Sequence, residues 1–127
     1  METLTTRGIE VSVDTEYWSP YSHPERDHYV FAYKITIDNQ GLEPVRLRRR
    51  CWKVTEATGE VKMVEGPGVV GEQPVLQPGG RFAYTSWCQL SAPNGAMEGF
   101  FTMDTARGES FPAFVPKFVL VAPWKLN

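Results

Sequence analysis

Apolar side chains occupy every second position from Tyr29 to Ile37, and this alternation constrains the fold more than any other stretch of the chain. The positions between them carry smaller or polar residues, such as Lys34 and Thr36. A period of two residues is that of a β-strand with one buried face, because successive side chains of a strand point to opposite sides. The sequence therefore predicts a central strand here.

Similar alternation, interrupted by glycine and proline turns, returns along the rest of the chain. Further strands are predicted at residues 9–13, 45–54, 61–64, 82–90, 97–103 and 111–120. Within 45–54 the alternation changes phase, which favours a β-bulge near Arg49 or Arg50, although the spacing also fits a helix. Pro112 and Pro116 place the last strand, expected to be irregular, at a sheet edge. Seven or eight short antiparallel strands without a convincing helix predict an all-β sandwich, with residues 1–127 as a single domain.

Composition limits the classes of function. The net charge of the 127 residues is -2, which argues against a generally basic nucleic-acid-binding protein, so no nucleic acid is expected as a partner. No apolar run suits a signal peptide or a membrane span, so we expect a cytoplasmic protein without a membrane partner. Cys51 and Cys88 are then expected to stay reduced; a disulfide is possible on their number alone.

Gly66, Gly68 and Gly71 spell the pattern GxGxxG, which binds pyrophosphate where a helix follows it. Here the β-branched Val69 and Val70, together with Pro74, oppose a helix. Two interpretations remain open. The glycines form a turn that joins two strands, or their amide groups form a nest that binds an anion.

Arg46, Arg48 and Arg50 would share one face of a regular strand. Guanidinium groups in such a row could hold a phosphate or an acidic partner, because each offers a planar fork of donors to an oxyanion. The alternative is a solvated row of charges that protects the sheet from edge pairing.

Trp18 and Tyr21 lie in a polar, proline-containing segment that reads as a loop with exposed aromatic side chains, a frequent partner contact. Tyr84 follows a proline-glycine corner, where the hydroxyl of a tyrosine commonly bonds to nearby backbone. His23 and His28 lack the usual ligand spacing, so neither a metal site nor another cofactor is expected. No nucleophile stands in a catalytic setting, which predicts a chain without enzymatic activity.

Several segments together resemble the ApaG family. They are residues 29–33, 64–74, 76–79, 82–86, 95–99 and 111–116, and with them the resemblance extends over nearly the whole chain. The resemblance implies a fibronectin type III-like or immunoglobulin-like sandwich. It also implies a link to diadenosine tetraphosphate hydrolysis and to cobalt and magnesium tolerance, with no settled molecular activity. The family's glycine motif, read as a possible pyrophosphate site, corresponds to Gly66, Gly68 and Gly71.

Two positions depart from the family pattern, because Cys51 stands where histidine is usual and Trp87 where a small residue is usual. The first weakens any case for a metal at that position, and the second adds an aromatic contact. Similar eukaryotic domains in a DNA-polymerase-interacting protein and an F-box protein imply protein binding. We therefore expect a binding module whose interaction surface includes Trp18, Tyr21 and Trp87, with a phosphorylated small molecule as the alternative ligand.

Overall fold

The computed structural model describes residues 1–125, which contain nine β-strands and three short 3₁₀ helices but no α-helix. The strands are β1 Glu2–Thr6, β2 Ile9–Tyr17, β3 Tyr29–Asn39, β4 Val45–Glu56, β5 Val61–Pro67, β6 Val75–Leu76, β7 Arg81–Leu90, β8 Asn94–Thr105 and β9 Ser110–Val121. The 3₁₀ helices are Ser19–Tyr21, Pro24–Arg26 and Pro123–Lys125. Within this described range, no helix has the length and apolar character needed to cross a bilayer.

The strands form two antiparallel sheets that pack face to face. One sheet has the order β1-β2-β3-β7, and the other has the order β5-β4-β8-β9 with β6 paired to β4. The inward-facing side chains of both sheets build one core. This arrangement confirms the predicted fibronectin type III-like sandwich, and β3 is an inner strand as expected.

Two of the nine strands have no counterpart in the sequence prediction. Strand β1 shows little burial, so no alternation marks it, and β6 contains only two residues. Both are specified by pairing with a neighbour rather than by their own side chains: β1 pairs with β2 along its whole length.

Trp52 lies at the centre of the core. Its ring is within 6.0 Å of the rings of Phe101 and Phe118, and 5.6 Å from that of Tyr33. These side chains come from both sheets, and edge-to-face packing of aromatic rings stabilises such contacts beyond the area they bury. Both cysteine thiols are free. Burial raises the pKa of Cys88 to about 12, so its thiol stays protonated.

A β-bulge in β4 decides which arginine faces the core. Leu47 pairs with Met103 and Arg49 with Thr102, so β4 carries one additional residue, Arg48, at this point. Before the bulge the odd-numbered residues of β4 face inward, and after it the even-numbered ones do. The segment is therefore a strand and not a helix, and Arg50 lies on the inner face of the sheet.

Strand β9 is an irregular strand at the edge of its sheet, as its prolines predicted, and it runs over 12 residues. Pro116 lies where the register between β8 and β9 shifts, between the pairs Met97 with Phe118 and Gly99 with Val115. A bulge tolerates a residue without an N–H group, so β9 continues past Pro116.

Asn39, at the end of β3, is buried and fully hydrogen-bonded. Its side-chain Nδ2 donates to the carbonyl oxygens of Glu43 at 2.9 Å and Leu76 at 3.0 Å. Its Oδ1 accepts a hydrogen bond of 2.9 Å from the amide of Gly41. One side chain therefore joins the turn after β3 to the backbone of β6.

Candidate functional site

The glycine segment forms a tight turn between strands. The amide of Val69 donates to the carbonyl oxygen of Glu72 at 2.8 Å, and the amide of Glu72 donates back to Val69 at 2.9 Å. Val70 and Gly71 between them have φ of 42° and 82°. Two successive residues with positive φ form the type I′ turn that closes two-residue hairpins. The glycine segment therefore has the conformation of a turn that joins two strands, as in the first of the two interpretations.

Strand β4 holds this turn in place. The amide of Gly68 donates to the carbonyl oxygen of Arg48 at 2.8 Å, and the side chain of Gln73 donates to the same oxygen at 2.9 Å. In return, Nη1 of Arg50 donates to the carbonyl oxygens of Pro67 and Gly68, both at 3.0 Å. The amide of Gly68 is thus committed within the protein and is not free for an anion.

Val70 is a β-branched residue in the left-handed region, where side chains of its shape are strained. We expect Val70→Asn to raise the free energy of unfolding by about 1 kcal/mol, because asparagine adopts positive φ at lower cost. Urea denaturation followed by tryptophan fluorescence measures the change. Val75→Asn, at another exposed valine whose φ is not positive, is the matched control and should not stabilise. A lower free energy of unfolding for Val70→Asn than for the wild type would contradict the proposal that Val70 is strained.

The three arginines of β4 do not form one row, so that expectation was wrong. The bulge at Arg48 changes the face that later residues occupy. Nε of Arg48 lies 2.8 Å from Oδ2 of Asp104, whereas Arg50 turns toward the glycine turn and Arg46 is exposed. The hydrogen bond from the hydroxyl of Ser110 lowers the pKa of Asp104, and the hydrogen bond and charge of Arg48 lower it further. Arg48 therefore has a carboxylate partner within the protein.

Arg50 instead lines a small cavity between the two sheets, which we call the Arg50 pocket. Its volume is about 230 Å³. It is lined by side chains of β3, β4 and β7 and by the glycine turn: Tyr33, Arg50, Trp52, Val69, Val70, Gly71, Tyr84 and Ser86. The GxGxxG pattern and one of the three arginines thus meet at one site. The site also contains the hydroxyl groups of Tyr33, Tyr84 and Ser86, none of which the sequence prediction assigned to a binding site.

The hydroxyl of Tyr84 is buried in this region and has no hydrogen-bond partner among the described residues. The predicted bond from this hydroxyl to nearby backbone is therefore absent, and that expectation was wrong. The side chain points inward from β7, and its ring packs against the rings of Phe82 and Phe101. Burial raises the pKa of Tyr84, so the phenol is protonated and can donate.

A second site brings together Trp18, Tyr21 and Trp87, the three residues predicted to form an interaction surface. They line one groove of about 430 Å³, which we call the aromatic groove, together with His28, Val30 and Gln89. The rings of Trp18 and Tyr21 are 5.5 Å apart. Tyr21 is 64% exposed and Trp87 is 58% exposed, so large apolar surfaces face the solvent.

The backbone around Ser22 positions this groove. The amide of Trp18 donates to the carbonyl oxygen of Val30 at 2.8 Å, and the hydroxyl of Ser22 bridges the carbonyl of Trp18 and the amide of Val30. Trp87 is opposite Ala32 in register, on the outer face of β7. Because β7 is the last strand of its sheet, the groove lies beside a strand edge that pairs with no other strand of residues 1–125.

The sequence prediction did not include a third surface, on the outer face of the other sheet. Leu4, Met63, Phe100 and Phe114 line a shallow groove of about 400 Å³ there. Phe100 pairs with Phe114 across β8 and β9, and their rings are 6.1 Å apart. The available signal was Phe100, an apolar residue at a polar-face position of its predicted strand.

His23 and His28 come together, with ring centroids 5.7 Å apart. Glu25 Oε1 lies 3.5 Å from Nδ1 of His23, but residues 1–125 contain no group of three or more histidine, cysteine or carboxylate side chains arranged to hold a metal ion. The two histidines close a loop, because the backbone amide of each donates a hydrogen bond to the carbonyl oxygen of the other.

Comparisons with known proteins agree over most of the chain. The family described as "ApaG domain" matches residues 19–105. The chain is 51% identical to "Protein ApaG" of Parvibaculum lavamentivorans over 97% of its length and 95% of that protein. It is 50% identical to "Protein ApaG" of Rhodospirillum centenum with the same coverage. The crystal structure of a putative ApaA protein from Bordetella pertussis superposes with a TM-score of 0.88 at 39% identity, covering 91% of this chain and 94% of that one.

Proposed function

The chain belongs to the ApaG domain family, and we propose that it is a non-catalytic module that binds a protein partner in extended conformation along β7. The observation that carries this proposal is the convergence of Trp18, Tyr21 and Trp87 on one exposed groove. Trp87 is far from Trp18 and Tyr21 in sequence, and the three meet beside the edge strand β7, which has no second strand neighbour within residues 1–125.

An unpaired strand edge can accept an additional strand from a partner, because its outward amide and carbonyl groups lack partners in the sheet. Main-chain hydrogen bonds of this kind supply affinity for any extended peptide, and pockets for alternate side chains supply selectivity. Trp87 lies on β7 itself, so a paired strand would set one of its side chains beside the indole ring. Aromatic side chains in such places dominate binding energies.

A second candidate is binding of a pyrophosphate-containing nucleotide at the glycine turn. The observation in its favour is that a fixed guanidinium, that of Arg50, lies against the turn. The amide of Gly68 already donates to the carbonyl oxygen of Arg48, and Arg48 is paired with Asp104. Fewer donors are therefore free to bind a phosphate than the sequence predicted. The protein-binding proposal therefore has the stronger support.

The test is a selection of random displayed peptides against the full chain. We expect enriched peptides to be extended and apolar at one position, and to shift amide NMR signals of residues 81–90. Trp87→Ala should weaken their binding about thirty-fold, the loss typical of a central tryptophan in an interface. Isothermal titration calorimetry measures the change.

Phe114→Ala is the matched control, because it removes an exposed aromatic side chain from the outer face of the other sheet. It should leave the affinity unchanged. Peptides that depend on Phe114 and not on Trp87 would show that the partner surface is on the other sheet and would overturn the proposal. Shifts confined to residues outside β7 and the aromatic groove would do the same.

A further inference from the structure

The Arg50 pocket contains a hydroxyl group that has been removed from water without compensation. Tyr84 is 8% exposed, and its phenolic oxygen makes no hydrogen bond with any described residue. Leaving a buried donor unpaired costs about 1–3 kcal/mol, so native proteins rarely keep one without a reason. Phenylalanine would fill the same volume without this cost. The hydroxyl therefore indicates a missing partner.

Arg50 places a positive charge at the same cavity. Its Nη1 donates hydrogen bonds to the carbonyl oxygens of Pro67 and Gly68, and these two bonds fix the plane of the guanidinium. Its Nε and Nη2 make no hydrogen bond within residues 1–125, and none of the carboxylates described there lies within ion-pair distance of it. Tyr33 and Tyr84 line the same cavity as Arg50, so their phenols and its guanidinium surround one space.

The remaining lining complements an anion. Ser86 supplies another hydroxyl close to that of Tyr33, and Trp52 closes the inner side of the pocket. A preorganised cation with several hydroxyl donors matches the oxygens of a carboxylate or phosphate group. A volume of about 230 Å³ is below the usual range for pockets of drug-sized ligands, and it accommodates a carboxylate or phosphate group. Val70 and Gly71 line the pocket at the exposed glycine turn, so a ligand could enter past them.

We propose that the Arg50 pocket binds a small oxyanion, a carboxylate or a phosphate group, through the guanidinium of Arg50 and the hydroxyls of Tyr33, Tyr84 and Ser86. The donors are side chains, so this site does not depend on the amides of the glycine motif. It also lies on the inner face of β7, whereas the aromatic groove uses the outer face. The proposal therefore holds or fails independently of the protein partner.

The test is an NMR titration of the isotope-labelled full chain with inorganic phosphate and, separately, with acetate, at constant ionic strength. We expect saturable shifts of the Arg50 Nε–Hε signal and of the amides of Gly71 and Ser86. The probe that binds more tightly identifies the source of the oxyanion. No saturable shift with either probe would overturn the proposal, because the pocket would then hold only solvent.

Tyr84→Phe separates ligand binding from a structural role. We expect it to weaken binding about ten- to a hundred-fold, the value of one hydrogen bond to a charged group, while the free energy of unfolding stays equal or rises. Tyr17→Phe, which removes a phenolic hydroxyl that lines neither the Arg50 pocket nor the aromatic groove, is the control and should bind like the wild type. If Tyr84→Phe folds poorly, Ser86→Ala takes its place. Unchanged binding in these pocket variants, or shifts only at Arg46 and Arg49, would overturn the proposal.

Discussion

Replacing Gly68 with alanine is expected to destabilise the protein by about 3 kcal/mol, more than any other change in the glycine motif. Gly68 has φ of 61°, and a Cβ atom there would lie 2.2 Å from the carbonyl oxygen of Glu72. The obstacle is backbone that belongs to the hairpin itself, so it cannot move without opening the turn. Chemical denaturation of Gly68→Ala against the wild type measures the loss.

The other two glycines are built-in controls for this prediction. A Cβ at Gly71 meets nothing within 4 Å, so Gly71→Ala should cost only the strain of a positive φ, about 1 kcal/mol. At Gly66 the nearest atoms belong to the guanidinium of Arg50, at 3.3 Å, and a side chain can yield. Equal losses at Gly66, Gly68 and Gly71 would contradict the steric explanation.

Asn39→Asp is expected to lower the free energy of unfolding by about 4 kcal/mol at neutral pH, because it buries a charge without a partner. Asn39 is 1% exposed. The amide nitrogen that it loses donates to two carbonyl oxygens, and a carboxylate oxygen in its place would repel both. Thermal and urea unfolding by circular dichroism measure the change.

The pH dependence of the Asn39→Asp variant provides the decisive comparison. Its new carboxyl should have a higher pKa in the folded than in the unfolded state, since only the protonated form can donate to a carbonyl oxygen. The deficit relative to wild type should therefore be small below the unfolded pKa and should grow as the pH rises through the folded pKa. Asn39→Ala lacks a titrating group, and its deficit should stay constant with pH. A constant deficit in Asn39→Asp would contradict this account.

Much of the fold was predictable because hydrophobic alternation is a local signal. Strands β2, β3, β7 and β8 each bury every second residue over much of their length, and the sequence shows this directly. The position of the bulge was predicted within two residues, since the change of phase in β4 is visible at Trp52. Strand β1 was not predictable, because its pairing with β2 leaves its side chains exposed.

The candidate sites were predictable only in part, since they depend on contacts between distant strands. Exposed aromatic residues suggested Trp18, Tyr21 and Trp87, but only the pairing of β3 with β7 brings Trp87 to the other two. The glycine motif and Arg50 were named separately, and the structure joins them. Tyr33 and Ser86 gave no sign of a site, because as inward-facing strand residues they look like ordinary core positions.

The strand order also has a consequence for how the chain folds during synthesis. Strands β1, β2 and β3 are consecutive and can pair as soon as they emerge, but the next strand of that sheet, β7, comes only after β4, β5 and β6. Strand β4 likewise waits for β8. During synthesis, therefore, neither sheet can be completed until β7 or β8 has emerged from the ribosome. Pairings between strands so distant in sequence close slowly, and we expect folding on the millisecond-to-second timescale of other β-sandwiches.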